Sequence, residues 1–291
     1  MIGGLGNQLF QYALGRRLSL QNNVPLKIDY TGYSRYKLHS YQIDRFCIQG
    51  DAARSCDIVT TRFGRPWDIP AVAMHMLHLR DDKEYYKRCW VKERILGFDE
   101  NVLSVGKNAY LWGYWQSEKY FDDIANILRN ELVLKNPPEG QNKEVLNQID
   151  ACEAVSVHIR RGDYVAMGEM KKIHDVCTID YYMAAIKRSL ELCTCPHFYI
   201  FSNDMPWVQQ NLHINAPITF VQHNDSKHGF EDLRLMSACK HHIIANSTFS
   251  WWGAWLSKYA EKIVIAPNQW ANVSQYVPSD IIPEKWIRIG I

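Results

Sequence analysis

Two adjacent arginines and an aspartate close an apolar run, Val155-Ser156-Val157-His158-Ile159-Arg160-Arg161-Gly162-Asp163-Tyr164. A guanidinium presents a planar fork of N–H donors that matches phosphate oxygens and stays protonated at any working pH. Asp163, three residues beyond Arg160, stands where it can orient that fork. The chemistry on offer is capture of an anion and neutralisation of negative charge. The plainer alternative is a solvated turn with a surface ion pair, and the rest of the chain argues against it by supplying further parts of a phosphate site.

The run that carries these groups alternates Val155, Val157 and Ile159 with Ser156, His158 and Arg160, the period of two that a strand requires. His158 and Arg160 therefore share a face. Ligands of open α/β sheets sit outside the carboxyl ends of the strands, where this strand delivers its cations. The pattern then predicts strands at 154–159, 197–201, 218–221, 241–245 and 262–266, with helices at 179–192, 230–239 and 250–259. Such alternation means a parallel sheet covered on both faces, a doubly wound nucleotide-binding type of domain. Two more strand ends carry polar groups. Phe198 to Phe201 runs into Ser202, Asn203 and Asp204, a carboxylate placed to accept from a ribose hydroxyl or a guanine edge. Ile243 to Ala245 runs into Asn246, Ser247, Thr248, Phe249 and Ser250, whose hydroxyls can cap the next helix and bond a phosphate at its N-terminus. Capping accounts for one hydroxyl of the three.

The other half opens Gly3-Gly4-Leu5-Gly6-Asn7-Gln8 and passes into a helical pattern with Phe10, Ala13, Leu14 and Leu18 on one face. Glycines let a ligand approach backbone N–H groups at a helix start, although a plain strand-to-helix turn reads equally well. The dinucleotide fingerprint is not met, because Leu9 stands at the third glycine position. Only Met1 and Ile2 precede the glycines, few for the strand that such a turn follows, which leaves open whether the natural start lies upstream. Pro25 to Tyr30 reads as a strand, and residues 34–100 have weak periodicity with one helix expected over 72–79. Ala109 to Phe121 packs six aromatics around Gly113 and presents Gln116, Glu118 and Lys119. An aromatic face can stack on the C–H face of a pyranose while amides and carboxylates bond its hydroxyls, so Trp115, Gln116 and Glu118 are candidate acceptor contacts; a strand buried for packing is the alternative. An amphipathic helix is expected over 122–134 with Ile124, Ile127, Leu128 and Leu132 inward, then a linker over 135–142. The boundary is placed between 1–136, an acceptor-side domain, and 137–291, a donor-binding domain.

Composition narrows the partners. A net charge of +2 offers no field for nucleic acid or an anionic membrane, so an anion site has to be local. Eight cysteines are too sparse for a disulfide scaffold, and the Cys193/Cys195 spacing has no second pair to complete a zinc site. A reducing cytosol fits best, and no apolar run approaches the ~20 residues needed to span a bilayer. The sequons at Asn246 and Asn272 matter only in a secretory compartment. No Asp-x-Asp occurs to hold a divalent ion on a diphosphate, so no metal is expected, and arginine has to neutralise a departing phosphate. Arg160 takes that role, with Arg161, Ser247, Thr248 and Ser250 assisting. Asp163, Glu118 and the acids near Asp29 and Asp44 are all open as a base.

The chain resembles the bacterial α-1,2-fucosyltransferases (glycosyltransferase family 11). The likeness is carried by Gly3 to Ala13, Gly113-Tyr114-Trp115-Gln116-Ser117, His158 to Asp163, Tyr199 to Asp204, Asp232-Leu233-Arg234-Leu235-Met236-Ser237 and Asn246 to Gly253. It implies an inverting transfer of L-fucose from GDP-β-L-fucose to O2 of a terminal galactose unit of an oligosaccharide. It also implies a GT-B-like α/β architecture of two Rossmann-like domains with the active site in the cleft between them, and no metal or cofactor beside the GDP-fucose donor. Arg160 then falls at the donor β-phosphate, and His158 and Asp204 look like guanosine contacts. The Ser247 to Ser250 turn looks like a diphosphate contact, and the segment with Gly6, Asn7 and Gln8 borders the donor sugar and acceptor. A fucosyltransferase of α-1,6 type or a catalytically silent carbohydrate-binding protein are the competing readings. The expected location is cytoplasmic, free or peripheral to the inner membrane.

Overall fold

The computed structural model describes residues 1–36, 38–63, 84–161, 176–272 and 280–290. The helix expected over 72–79 lies outside them, as does Asp163. The chain divides into two compact units, Met1–Glu131 with Pro278–Ile281, and Leu132–Val277 with Ile282–Ile291. The division falls before the prolines of the expected linker, and a return segment near the C-terminus belongs to the first unit.

The first unit is built on helix α1 (Leu5–Asn22), which buries Leu9, Phe10, Ala13 and Leu14 and ends at Asn23 in the left-handed conformation. Two short parallel pairs accompany it: β1 (Lys27–Ile28) with β2 (Asp51–Ala52), and β3 (Trp90–Lys92) with β4 (Tyr110–Trp112). Helix α2 (Ser55–Phe63) follows β2, and α3 (Ala125–Glu131) closes the unit. The arginine of α1 at position 16 forks onto Glu131 of α3, with Nη2 at 2.8 Å and Nε at 3.0 Å from Oε1. The helix expected over 122–134 is shorter and begins as a 3-10 turn at Asp122–Ile124. That tighter turn rotates the stripe, so Leu128 and Leu132 are buried while Ile127 is exposed.

The second unit begins with α4 (Gly140–Asp150), so the expected linker stops at Glu139, the N-cap. Then come β5 (Glu153–Ile159), α5 (Ile179–Leu192), β6 (Pro196–Ser202), α6 (Met205–Asn211) and β7 (Ile218–Val221). The chain continues through α7 (Gly229–Ala238), β8 (His241–Ile243), α8 (Thr248–Leu256), β9 (Val264–Pro267) and β10 (Ile287–Ile289). The strands form one six-stranded sheet, all parallel, in the order β10-β9-β8-β5-β6-β7. The two-residue period of β5 is visible in its packing. Val155, Val157 and Ile159 meet Tyr181, Tyr182 and Ile186 of α5 on one face, and Ala154 meets Leu235 and Met236 of α7 on the other. Helices α7 and α8 close on each other at Gly253, where an added Cβ would lie 3.0 Å from that of Met236. Among the described residues no helix is long and apolar enough to cross a membrane.

Candidate active site

The order of the sheet decides where its ligand crevice lies. The chain winds outward from β5 to β7, returns to the other side at β8 and winds outward again, so the reversal point is between β5 and β8. Crossovers leave in opposite directions there, and the carboxyl ends of the two strands border an open crevice. Arg160 follows β5 and Ser247 opens α8 just beyond β8, and Arg160 Nη1 donates to Ser247 Oγ at 3.4 Å. Ser247 is the N-cap of α8 by position, yet its hydroxyl caps no backbone N–H; it faces the guanidinium instead. The first turn of α8 therefore offers N–H groups and the positive end of a helix dipole beside an arginine, two features that favour a phosphate. Thr248 is half-buried in that first turn, whereas Ser250 is buried and donates back to the Ser247 carbonyl at 3.3 Å. Ser250 thus serves the helix start in this structure. Asn246 is buried too, donating to the Trp270 carbonyl at 3.0 Å, so this sequon has no room for a glycan.

His158 precedes Arg160 on the same face and its ring lies 5.6 Å from that of Phe249, tilted by 55°. Phe249 in turn touches the Gly229 position at the start of α7. His158 is buried, and Phe249 is half-buried against the core cluster on the α7 side of the sheet.

Arg161 is placed differently from its neighbour. Its backbone N–H donates to Asn203 Oδ1 at 2.9 Å, its Nε is 3.4 Å from Asp204 Oδ2, and its guanidinium lies 4.1 Å over the Trp207 ring. Asp204 also N-caps α6 by accepting from the Trp207 N–H. Arg161 therefore braces the end of β5 against the end of β6, and its charge is directed at Asp204.

Sequence reasoning passed over Asp232, which it met only inside the Asp232 to Ser237 motif. Its carboxyl sits in the first turn of α7, accepts from Asn224 Nδ2 at 2.7 Å, and is pushed up to about 7 by burial, against the pull of Asn224. Asn142 and His223 complete this polar cluster beyond β7, with His223 Nε2 2.9 Å from Asn142 Oδ1.

In the first unit the glycine turn is tight. Gly3 has a φ of 81°, and a Cβ there would lie 2.7 Å from Asn7 Nδ2. Gly6 is buried, and Asn7 is half-buried with its Oδ1 accepting from Gln116 Nε2 at 2.8 Å. The turn and the Gly113 to Ser117 motif thus meet, as two of the expected groups. Gln8 is a correction. Its amide is buried and bonds the Gly3 and Ser40 carbonyls and the Gln42 and Ile43 N–H groups, which uses both its hydrogens and both lone pairs. It fastens segment 40–43 and has no bond left for a donor. Trp115 is a second correction: it is 2% exposed, with its ring edge-on to Tyr120, so it packs the core and offers no face to a sugar. Glu118 is half-buried within electrostatic reach of Arg129.

Glu93 was missed because Lys92-Glu93-Arg94 reads as a solvated charge run. Its two oxygens accept from the Tyr114 and Trp115 N–H groups at 2.7 and 2.9 Å, and burial outweighs those bonds and raises its pKa. It holds Trp115 at a φ of 59°, a strained value for a non-glycine residue. Of the candidate bases, Asp29 is weakened: burial raises it, but Thr31 and Tyr110 bond it and hold it below the usual range.

Among the described residues one trio has ligand-like spacing, Glu153, Cys193 and His241, within 4.8 Å of one another at the amino ends of the strands. His241 Nδ1 accepts from the Ile263 N–H, so its proton rides on Nε2 and points to Glu153. A neutral ring in that tautomer has no lone pair for a metal, and the trio reads as structural.

The sequence profile of Glycosyl transferase family 11 matches residues 72–290. An α-1,2-colitosyltransferase of Escherichia coli is 35% identical over 99% of this chain and 97% of its own length. The O-antigen biosynthesis glycosyltransferase WbnK of Escherichia coli is 30% identical over 99% and 98%, and galactoside α-(1,2)-fucosyltransferase 2 of Pongo pygmaeus is 25% identical over 88% and 67%. With an arginine and a helix start meeting at the reversal point of a parallel sheet, and with relatives matched end to end, the chain belongs to glycosyl transferase family 11 and is a glycosyltransferase.

Proposed function

We propose that the chain moves L-fucose from GDP-β-L-fucose to O2 of a terminal β-galactoside, with inversion and without a metal. The carrying observation is Arg160 at the carboxyl end of β5, bonded to Ser247 across the reversal point of the sheet. As the bond between the anomeric carbon and phosphate oxygen breaks, positive charge grows on the sugar and negative charge on the departing GDP. A guanidinium and helix N–H groups fixed beside that phosphate act where the charge develops. In this proposal His158 and Asp204 meet the guanosine, and Ser247 and Thr248 assist at the diphosphate. Gly6 and Asn7 border the donor sugar, and Gln116 and Glu118 serve the acceptor side. Asp163 orients Arg160, and the reaction runs in the cytoplasm, free or at the inner membrane.

The α-(1,2) linkage in the names of two relatives supports O2 over an α-1,6 product. The colitosyltransferase supports a second reading, in which the donor carries colitose, the 3-deoxy counterpart of fucose. Incubation with GDP-fucose or GDP-colitose and a panel of β-galactosides in excess EDTA, followed by NMR of the product, separates these readings. The expected product is α-1,2-linked fucose at undiminished rate in EDTA. Faster transfer from GDP-colitose replaces the donor, another linkage replaces the acceptor position, and loss in EDTA removes the metal-free step. Arg160→Lys, which keeps the charge and loses the fork, is expected to lower kcat by about a hundredfold. Wild-type turnover in that variant removes the role of Arg160.

A further inference from the structure

The first unit carries a tyrosine surface that joins Tyr114 of the Gly113 to Ser117 motif to residues 30–41, a segment outside the sequence motifs. Residues 30–36, which include the 3-10 turn Thr31–Ser34, and residues 38–41 are held against the glycine turn. The Tyr33 hydroxyl donates to the Gly3 carbonyl at 2.6 Å, and Gln8 donates to the Ser40 carbonyl at 2.9 Å. On that base the rings interlock. Tyr41 stacks on Tyr30 at 4.8 Å, Tyr36 meets Tyr33 edge-on at 6.0 Å, and His39 lies 5.9 Å from Tyr36.

Rings locked this well are ordinarily inside a core. Here Tyr30 and Tyr36 remain exposed, at 43% and 38%, and Tyr114 at 36%. Tyr114 comes from the other motif. Its N–H is held by Glu93, and Gly113 before it has no room for a side chain, since a Cβ would lie 2.4 Å from that of Glu93. Its phenol is within electrostatic reach of Tyr36. Two residues on, Gln116 bonds Asn7 of the glycine turn.

We propose that this tyrosine shelf, centred on Tyr36 and Tyr114, binds the acceptor as a neutral terminal pyranoside, a β-galactoside in the reaction above. A pyranose has an apolar C–H face that lies on an aromatic ring and a rim of hydroxyls that phenols and amides bond. Preset rings make this contact with little loss of side-chain freedom. The shelf takes the stacking role that buried Trp115 cannot fill. The proposal rests on the transferase reading above, and the tests keep the two apart.

Tyr36→Ala and Tyr114→Ala each remove an exposed ring, and Tyr36→Trp keeps a stacking face. The measurements are KM for lactose, saturation transfer from protein aromatic protons to methyl β-D-galactopyranoside, and GDP affinity by calorimetry. The expected result is a rise of about tenfold or more in acceptor KM and lost saturation transfer in the alanine variants. GDP affinity and far-ultraviolet dichroism should match the wild type, and Tyr36→Trp should stay within about twofold of it. Unchanged acceptor KM and saturation transfer in both alanine variants overturn the shelf. So does a wild-type chain that binds GDP but shows no transfer to the galactoside. A wild-type chain that binds no GDP overturns the GDP-sugar donor of the reading above, while the saturation-transfer comparison still decides the shelf.

Discussion

Arg160 and Arg161 are adjacent, chemically identical and differently engaged. A strand alternates its side chains, so one guanidinium goes to the reversal point and Ser247, and the other to Asp204 and Trp207. Ser247→Ala keeps the α8 helix, since its hydroxyl caps nothing, and removes a partner of Arg160. It should lower kcat by about tenfold while leaving the melting temperature nearly unchanged; steady-state kinetics and calorimetry read the two effects separately. Asp232 calls for a pH experiment. Its carboxyl is raised in the folded chain to about 7, so between an ordinary carboxylate pKa and that value the folded state holds the proton that the unfolded state releases. Stability contributed by this group therefore declines as pH rises through that window. Asp232→Asn, which can still accept from Asn224, should gain on the wild type above about pH 7 and lose that advantage near about pH 4. Melting curves across pH check it, and a constant difference would exclude the assignment.

Among the elements, α6 and the β3–β4 pair show how little sequence pattern is needed to hold a structure. Helix α6 is seven residues long and rests on one cap, Asp204, with a proline in its first turn. Asp204→Ala should cost about 1 kcal/mol of stability, and Asp204→Asn close to nothing, because asparagine caps equally well and a half-exposed ion pair with Arg161 contributes little. Both should weaken GDP binding if the carboxylate meets the nucleoside, which calorimetry decides. In the β3–β4 pair, Glu93 occupies the space that a side chain at Gly113 would need. Gly113→Ala should destabilise the first unit by about 1–3 kcal/mol, seen as a lower melting temperature. A neutral result would mean that the loop relaxes and that Glu93 does not hold it.

For the whole molecule, two units with separate cores imply unfolding that is not two-state. Calorimetry should resolve two components, and GDP should raise the one belonging to the unit with the six-stranded sheet, by about 2.7 kcal/mol at a hundredfold excess over Kd. A shift confined to the other component would move the nucleotide away from Arg160. The second unit was largely legible beforehand because its strands are buried on both faces and its helices on one, so hydrophobic period alone separates them. Even there α4, α6 and β10 escaped, the first a mostly polar helix with only Val145, Leu146 and Ile149 as its apolar positions, the second too short for a period and the third a three-residue strand at the far edge of the sheet. In the first unit strands of two or three residues leave no period to read, and its segments are held by Gln8, Glu93 and Glu131 through side-chain bonds across the chain.

By itself the amino-acid sequence determined that a parallel α/β sheet would present His158, Arg160 and the Ser247 turn at its carboxyl edge, because alternation and strand polarity are local properties of the chain. Only the tertiary structure decided which of those groups face one another. The pairing of Arg160 with Ser247, the diversion of Arg161 to Asp204, the burial of Trp115 and the exposure of Tyr36 and Tyr114 all depend on strand order and on contacts between residues distant along the chain. Side-chain type states what a residue can bond; neighbours brought by the fold settle whether that capacity is spent inside the protein or kept for a ligand.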